Sequence, residues 1–172
     1  MNKSKIKTIL IALLFACTAN SAWAIEVVDG IYQIGTADHL IEFAGIVNGG
    51  ENNANAVLTA NIDMSGKSWT PIGDNEHRYI GTFDGQFHMI DNLVYEGGEK
   101  VGIFGVVNGG CTIKNLIAGP NNSIKGTSKV GGIIGCSDGS GWVILENVGH
   151  EGYVEGTGNN CCCIIGVVMN GG

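Results

Sequence analysis

The chain has 172 residues, 44% of them hydrophobic and 15% charged, with sixteen acidic residues against nine lysines and arginines and a formal charge of −7. That much apolar content excludes a disordered linker. The acidic balance weighs against nucleic acid as a partner, because a duplex-binding surface needs basic clusters to replace phosphate counterions.

The first element is a leader. Residues 1–24 carry three lysines, then the apolar run Ile9 to Ala16, then Ala22-Trp23-Ala24 before Ile25. This is the order of a secretory signal peptide, with cleavage expected after Ala24. The alternative is a lipoprotein anchored at Cys17, which would require lipidation behind the bulky Phe15. Cleavage after Ala24 leaves 148 residues with six basic groups against sixteen acidic ones, a formal charge of −10. No other run approaches the roughly 20 apolar residues of a spanning helix, so no transmembrane span is expected. The product is expected to be secreted or held at the cell surface.

Residues 25–82 read as an N-terminal cap built from a helix and a strand. After "IEVVDGIYQIG", Thr36 is placed to N-cap a helix with Asp38 in its first turn and Leu40, Ile41, Phe43, Ala44 and Val47 along one face, and Gly49-Gly50 stops it. A strand is expected within residues 55–65, "NAVLTANIDMS", followed by a turn-rich stretch. Such a cap would shield the edge of whatever sheet follows.

From residue 83 the sequence repeats. The three units 83–110, 111–141 and 142–172 have lengths of 28, 31 and 31, and each has a strand-like run with an asparagine near its end. Each also has a second apolar run, "VGIFGVV", "VGGIIGC" or "CCCIIGVV", closing on a glycine-rich corner. Units of about 30 residues with short β-branched runs cannot bury their own apolar faces, whereas stacked coils can. The expected fold is mainly β, a right-handed parallel β-solenoid of about three coils, with an antiparallel sandwich as its rival. In that stack Asn92, Asn115 and Asn147 are expected to form an amide ladder at one corner. The sequence stops at a coil boundary, which would leave an unpaired parallel edge open to edge-to-edge association through the last coil.

The stretches "AVLTANIDMSGKSWTPIG", "YIGTFDGQFHMIDNL", "VGIFGVV" and "VGGIIG" resemble the GLUG-motif family of exported bacterial proteins, named for a short Gly-Leu-hydrophobic-Gly repeat. The similarity runs from about Gly30 to Gly172. It implies solenoid units on large, adhesin-like surface proteins, some of them beside immunoglobulin-A-specific metallopeptidases, and it supplies no catalytic residues. The chain departs from the pattern at Phe87 and Met89, where the family corner has glycine and threonine. A glycine at the first of these would permit a positive φ.

Candidates for chemistry are sparse. His150-Glu151 begins a zinc-peptidase helix motif, but Val154 stands where its second histidine belongs. Asp84, Asp91, Glu96 and Glu99, with His88 nearby, are the carboxylates that a polysaccharide-cleaving solenoid would use, and Asp84-Gly85 reads equally as a turn. A single "SDGSG" at 137–141 is read as a solvated turn rather than a calcium loop. Trp69, Tyr79, Phe83, Tyr95, Trp142 and Tyr153 could stack on sugars, and Trp69, Tyr95, Trp142 and Tyr153 are retained as carbohydrate-contact candidates.

The run Cys161-Cys162-Cys163 lies on a strand where side chains alternate faces, so it cannot give three ligands to one tetrahedral metal. With Cys111 and Cys136, these residues read as small hydrophobes, with Cys136 stacking on Val106 and Val167 and Cys111 on Trp142. A Cys111–Cys136 bridge and a metal or intermolecular thiol role remain open. No catalytic residue, cofactor or metal is assigned. The expected function is a non-enzymatic surface spacer or adhesion platform that contacts glycans or a host or cell-surface protein. The alternative is the solenoid portion of a carbohydrate-active or other surface enzyme whose catalytic part lies outside this chain.

Overall fold

The computed structural model describes residues 24–162 and 164–169. The expected leader up to Trp23, Cys17 and Cys163 lie outside them, as do residues 170–172.

The amino-terminal part contains the expected helix. Strands β1 (Glu26–Val28) and β2 (Ile31–Ile34) form an antiparallel hairpin, and α1 spans Ala37–Asn48. The Thr36 hydroxyl accepts a hydrogen bond from the His39 amide at 3.2 Å, satisfying one of the amides that a helix start leaves unpaired. Ala37, Leu40, Phe43, Ala44 and Val47 are the buried face of α1. Phe43 projects from it into an aromatic cluster with Tyr32, Tyr79 and Phe83, at centroid distances of 5.6, 6.2 and 6.0 Å.

The rest is a parallel β-solenoid of about four turns. Three of these are the repeat units. The other is built by residues 55–81, which the sequence places in the cap. Strand β3 (Asn55–Leu58) pairs in parallel with β5 (Thr82–Asp84), in register Ala56↔Phe83, and β4 (Ile62–Asp63) pairs with β6 (Met89–Asp91). Isolated parallel bridges Ile72↔Phe104 and Tyr79↔Val107 continue this turn around the stack. Its membership is hidden in the sequence because Trp69-Thr70-Pro71 and the Gly73–Arg78 loop replace the glycine-spaced apolar run of the later units.

The later turns stack four strand columns. The first repeat turn continues with β7 (Val94–Glu96), β8 (Glu99–Val101) and β9 (Phe104–Val107). The second has β10 (Thr112–Ala118), β11 (Ser123–Gly126), β12 (Ser128–Gly131) and β13 (Ile134–Asp138). The third has β14 (Ile144–His150), β15 (Tyr153–Gly156), β16 (Cys161–Cys162) and β17 (Ile165–Met169). All pairings between these turns are parallel, with registers such as Ile113↔Leu145, Ile124↔Val154, Val130↔Cys161 and Ile134↔Ile165. Inward residues of successive turns therefore fall on one another. Ile113, Leu116, Ile124, Val130 and Ile134 are all fully buried.

The last glycine of each repeated apolar run has a packing reason. Gly105, Gly135 and Gly166 lie in one column, set by Cys136↔Val106 and Ile134↔Ile165. A Cβ on Gly166 would come within 2.7 Å of the Gly135 carbonyl oxygen and of Lys129 and Val130 backbone atoms. Backbone of the neighbouring column and turn occupies the space a side chain would need.

Phe87 adopts a positive φ and carries strain. Gln86 and Phe87 have φ of +48° and +61°, and the His88 amide donates to the Gly85 carbonyl at 2.7 Å, closing a tight turn. A bulky residue in the left-handed region costs roughly 1–2 kcal/mol, and Phe87 is 67% exposed, so it gains little burial in return. Phe87→Gly is expected to raise stability by about 1 kcal/mol, seen as a higher urea midpoint with an unchanged slope. A lower midpoint would show that the exposed ring makes a stabilising contact after all.

Candidate functional site

The amide column joins two of its three expected members. Lys114↔Glu146 and Leu116↔Val148 place Asn115 level with Asn147, and Asn147 Nδ2 donates to Asn115 Oδ1 at 2.9 Å. Both residues have φ of +51°, a conformation asparagine tolerates well. Below them the column ends on Asp84, whose Oδ1 accepts from Asn115 Nδ2 at 3.0 Å. Asn92 stands one corner further along the chain and donates instead to Asp63 Oδ1 at 2.9 Å. The residues level with Asn115 in the first repeat turn are those after Asp84, since Lys114 pairs with Asp84. The four-residue turn 85–88 displaces the "IDNL" run from the frame that its likeness to "IKNL" suggests.

The candidate carboxylates are engaged in holding turns together. Asp84 accepts from the Gln86 amide at 2.9 Å and faces Lys114 Nζ at 3.3 Å. Partial burial alone would raise its pKa, but hydrogen bonds from Gln86, Asn115 and Lys114 outweigh burial and hold it below the usual value. Asp91 is held low in the same way: burial opposes ionisation, and bonds from Asn121 and the Asn92 amide overcome it. Its two oxygens accept from the Asn121 amide at 2.9 Å and from Asn121 Nδ2 at 2.8 Å. His88 Nδ1 lies 3.3 Å from Asn61 Oδ1 in the preceding turn, and Glu99 lies 3.5 Å from Lys129. The partners of Asp84, Asp91, His88 and Glu99 all differ, and these groups do not converge. Among the described residues no three His, Cys, Asp or Glu side chains are grouped to hold a metal ion.

These shifts have a sign. A carboxyl whose folded-state pKa lies below its unfolded value contributes stability that is present above the unfolded value and lost as the pH falls through the folded one. Asp84 and Asp91 are therefore expected to make the melting temperature fall as pH drops below about 4. Asp84→Asn should flatten that dependence in a pH series of thermal melts. An equally steep acid limb in the variant would remove Asp84 from the account.

The remaining polar candidates also fall into structural roles. Asp138 of the "SDGSG" turn lies 3.3 Å from Arg78 Nη2 and 3.9 Å from Lys100 Nζ, so cations of the protein face it. His150 is half-buried, and burial lowers its pKa. Each of the six basic side chains beyond the leader has an acidic neighbour within 4.0 Å, the others being Lys67–Asp38, Lys114–Asp84, Lys125–Glu155 and Lys129–Glu99.

The aromatic candidates divide. Trp69 is only 6% exposed and donates from Nε1 to the Gly102 carbonyl at 3.2 Å, so it is a core residue and not a sugar contact. Tyr79 and Phe83 are fully buried, and the Tyr79 hydroxyl donates to the Ala54 carbonyl at 3.0 Å. Trp142 and Tyr153 are exposed, and Lys125 Nζ lies 5.7 Å from the Tyr153 ring centroid. Tyr95 is half-buried and lines a cleft.

The cysteines occupy repeat positions. Cys136 pairs with Val106 and Val167, as the repeat alignment predicts. Cys111 lies one residue off its expected partner, because Thr112↔Ile144 sets it level with Val143. Cys111 and Cys136 are free and buried, Cys161 is free and exposed, and burial pushes the Cys111 thiol up to about 12. Iodoacetamide is expected to modify Cys161 in the folded protein and Cys111 only after unfolding, as read by peptide mass mapping. Equal labelling of the two would contradict the burial of Cys111.

Sequence reasoning missed a set of asparagines that clamp one turn to the next. Asn55 Oδ1 accepts from the Thr82 amide, Asn61 Oδ1 from the Met89 amide, and Asn122 Oδ1 from the Leu93 amide. Their partners lie 27, 28 and 29 residues away, close to one coil length. That separation is the signal that could have found them.

No protein-family profile matches the chain, and no solved structure matches it. It is similar to a Gly-rich membrane protein of Evansella cellulosilytica, 30% identical over 97 residues that cover 55% of this chain and 11% of that protein. It is also similar to halomucin of Haloquadratum walsbyi, 33% identical over 138 residues that cover 72% of this chain and 1% of halomucin. The chain thus spans a small fraction of both relatives. Among the described residues no helix is long and apolar enough to cross a membrane.

Proposed function

We propose that the chain is a non-enzymatic, exported β-solenoid module of the GLUG type that serves as a spacer or adhesion platform at the cell surface. The observation that carries this reading is the use of the candidate acids and amides. Asp84, Asp91, Asn115 and Asn147 are each bonded to the neighbouring turn, so groups that a hydrolase would converge on a substrate are spent on stacking. The likeness to a Gly-rich membrane protein and to halomucin, and the leader-like residues 1–24, support a place at the surface. Pairing of every basic side chain beyond the leader leaves an acidic exterior that would repel nucleic acid.

A glycan array probed with the purified chain, run beside assays for released uronates and oligosaccharides, tests the proposal. Specific binding without turnover is the expected result. Release of sugar would defeat the non-enzymatic reading.

A further inference from the structure

Between the first two turns of the solenoid lies a cleft of about 190 Å³. It exists because the turn formed by residues 55–81 skips two strand columns. The sheets β15–β11–β7 and β16–β12–β8 each end at the first repeat turn, so β7 and β8 are edge strands among the described residues. The chain rejoins the stack only where the Ile72 amide donates to the Ile103 carbonyl, at 3.0 Å. Thr70, Asp74 and Asn75 form one wall, and Tyr95, Glu99 and Lys100 form the other.

We propose that this cleft binds an uncharged pyranose unit of a glycan. The proposal rests on the platform reading and gives that platform a site. Tyr95 supplies an aromatic surface for the apolar face of a sugar ring, and the walls supply a hydroxyl, an amide, two carboxylates and an ammonium to meet ring hydroxyls.

The walls are braced before any ligand arrives. Asn48 at the end of α1 donates from Nδ2 to the Pro71 carbonyl at 3.0 Å and accepts from the Gly73 amide at 2.8 Å. Asp74 Oδ1 accepts from the Glu76 and His77 amides at 2.8 and 2.6 Å, fixing the loop. Lys100 Nζ donates to Asn75 Oδ1 at 2.6 Å across the cleft. Preorganised polar groups cost little ordering on binding.

Charge selects the class of sugar. The cations at the cleft are already engaged: Lys100 is bonded to Asn75 and lies 3.9 Å from Asp138, and Lys129 lies 3.5 Å from Glu99. A uronate or phosphate would therefore meet the Asp74 carboxylate with no unpaired cation to hold it. An extended peptide is disfavoured because β7 is three residues long and offers few backbone bonds.

The test is a titration of the isotope-labelled chain with the methyl pyranosides of glucose, galactose and mannose, with glucuronate, and with a panel of extended peptides, followed by amide NMR shifts. At least one neutral pyranoside is expected to move residues 70–75 and 95–101, and glucuronate is not. Asn75→Ala and Glu99→Gln are expected to weaken binding about ten-fold, equivalent to ~1.4 kcal/mol, without moving the urea midpoint. Tyr95→Phe should bind as the parent does and Tyr95→Ala should not; should Tyr95→Ala fail to fold, the two polar variants decide. The proposal is overturned if no neutral sugar perturbs the cleft, if glucuronate or a peptide is the ligand that does, or if sugars bind at Trp142 and Tyr153 instead. Those outcomes leave the platform reading standing, whereas sugar release in the array experiment defeats that reading.

Discussion

Phe104→Ala is expected to lower stability by about 3–5 kcal/mol, the range for deleting a buried aromatic ring. Phe104 is fully buried in β9, in the column that runs Ile72, Phe104, Ile134, Ile165 through successive turns. Its ring stacks on Tyr79 at 5.5 Å and meets Phe83 edge-on at 5.3 Å. Both neighbours sit close to the place where α1 closes the stack through Phe43. The deletion therefore opens a hole where turn, cap and aromatic cluster meet, and the close packing of a core limits its collapse. For a domain of this size each kcal/mol moves the melting temperature by roughly 2–4 °C, so a fall of about 10 °C or more is expected. A loss below about 1 kcal/mol in urea unfolding would mean that the aromatic cluster repacks and does not hold the cap to the coils.

That cluster also shows what the sequence could and could not display. The period of the apolar runs was visible because a parallel stack repeats its inward residues at one coil length, and Val101, Val130 and Cys161 fall in register as their likeness suggests. The repeated glycines were visible for the same reason, since backbone contact forbids a side chain at Gly105, Gly135 and Gly166. The turn formed by residues 55–81 was not visible. Past its β3–β5 and β4–β6 pairings it meets the later turns through two isolated bridges and through Trp69 and Tyr79, bulky residues that fill space the later turns fill with strand.

The corner asparagines misled for a related reason. A local likeness between "IDNL" and "IKNL" says nothing of the four-residue turn before it, which carries Asn92 past the level of Asn115 while β7, β8 and β9 keep their columns. The candidate cleft was legible only in part. Tyr95 stood out as an aromatic, but its partners come from a loop whose place in the stack depends on two skipped columns.

Asn122→Ala is expected to cost about 1–3 kcal/mol, more than an exposed corner asparagine. Asn122 is 1% exposed, and its side chain serves the turn below at two points. Its Oδ1 accepts from the Leu93 amide at 2.8 Å, and its Nδ2 donates to the Ile90 carbonyl at 2.9 Å. The Ile90 carbonyl also accepts from the Gly119 amide at 2.8 Å, whereas the Leu93 amide, at the corner where β6 hands over to β7, is served among the described residues by Asn122 alone. Alanine would leave that buried donor without a partner, at about 1–3 kcal/mol, and would remove one of the two bonds to the Ile90 carbonyl. The next turn has Gly152 at this level, tight against Asn122 backbone and Cβ, so no other side chain can swing in as a substitute. Asn121, its exposed neighbour, is the control: it bonds to Asp91 in solvent, and Asn121→Ala should cost less than about 1 kcal/mol. Urea unfolding of the two variants side by side separates the cases. Equal losses would mean that the buried bracket is worth no more than a solvated hydrogen bond, and that the corner is held by apolar stacking alone.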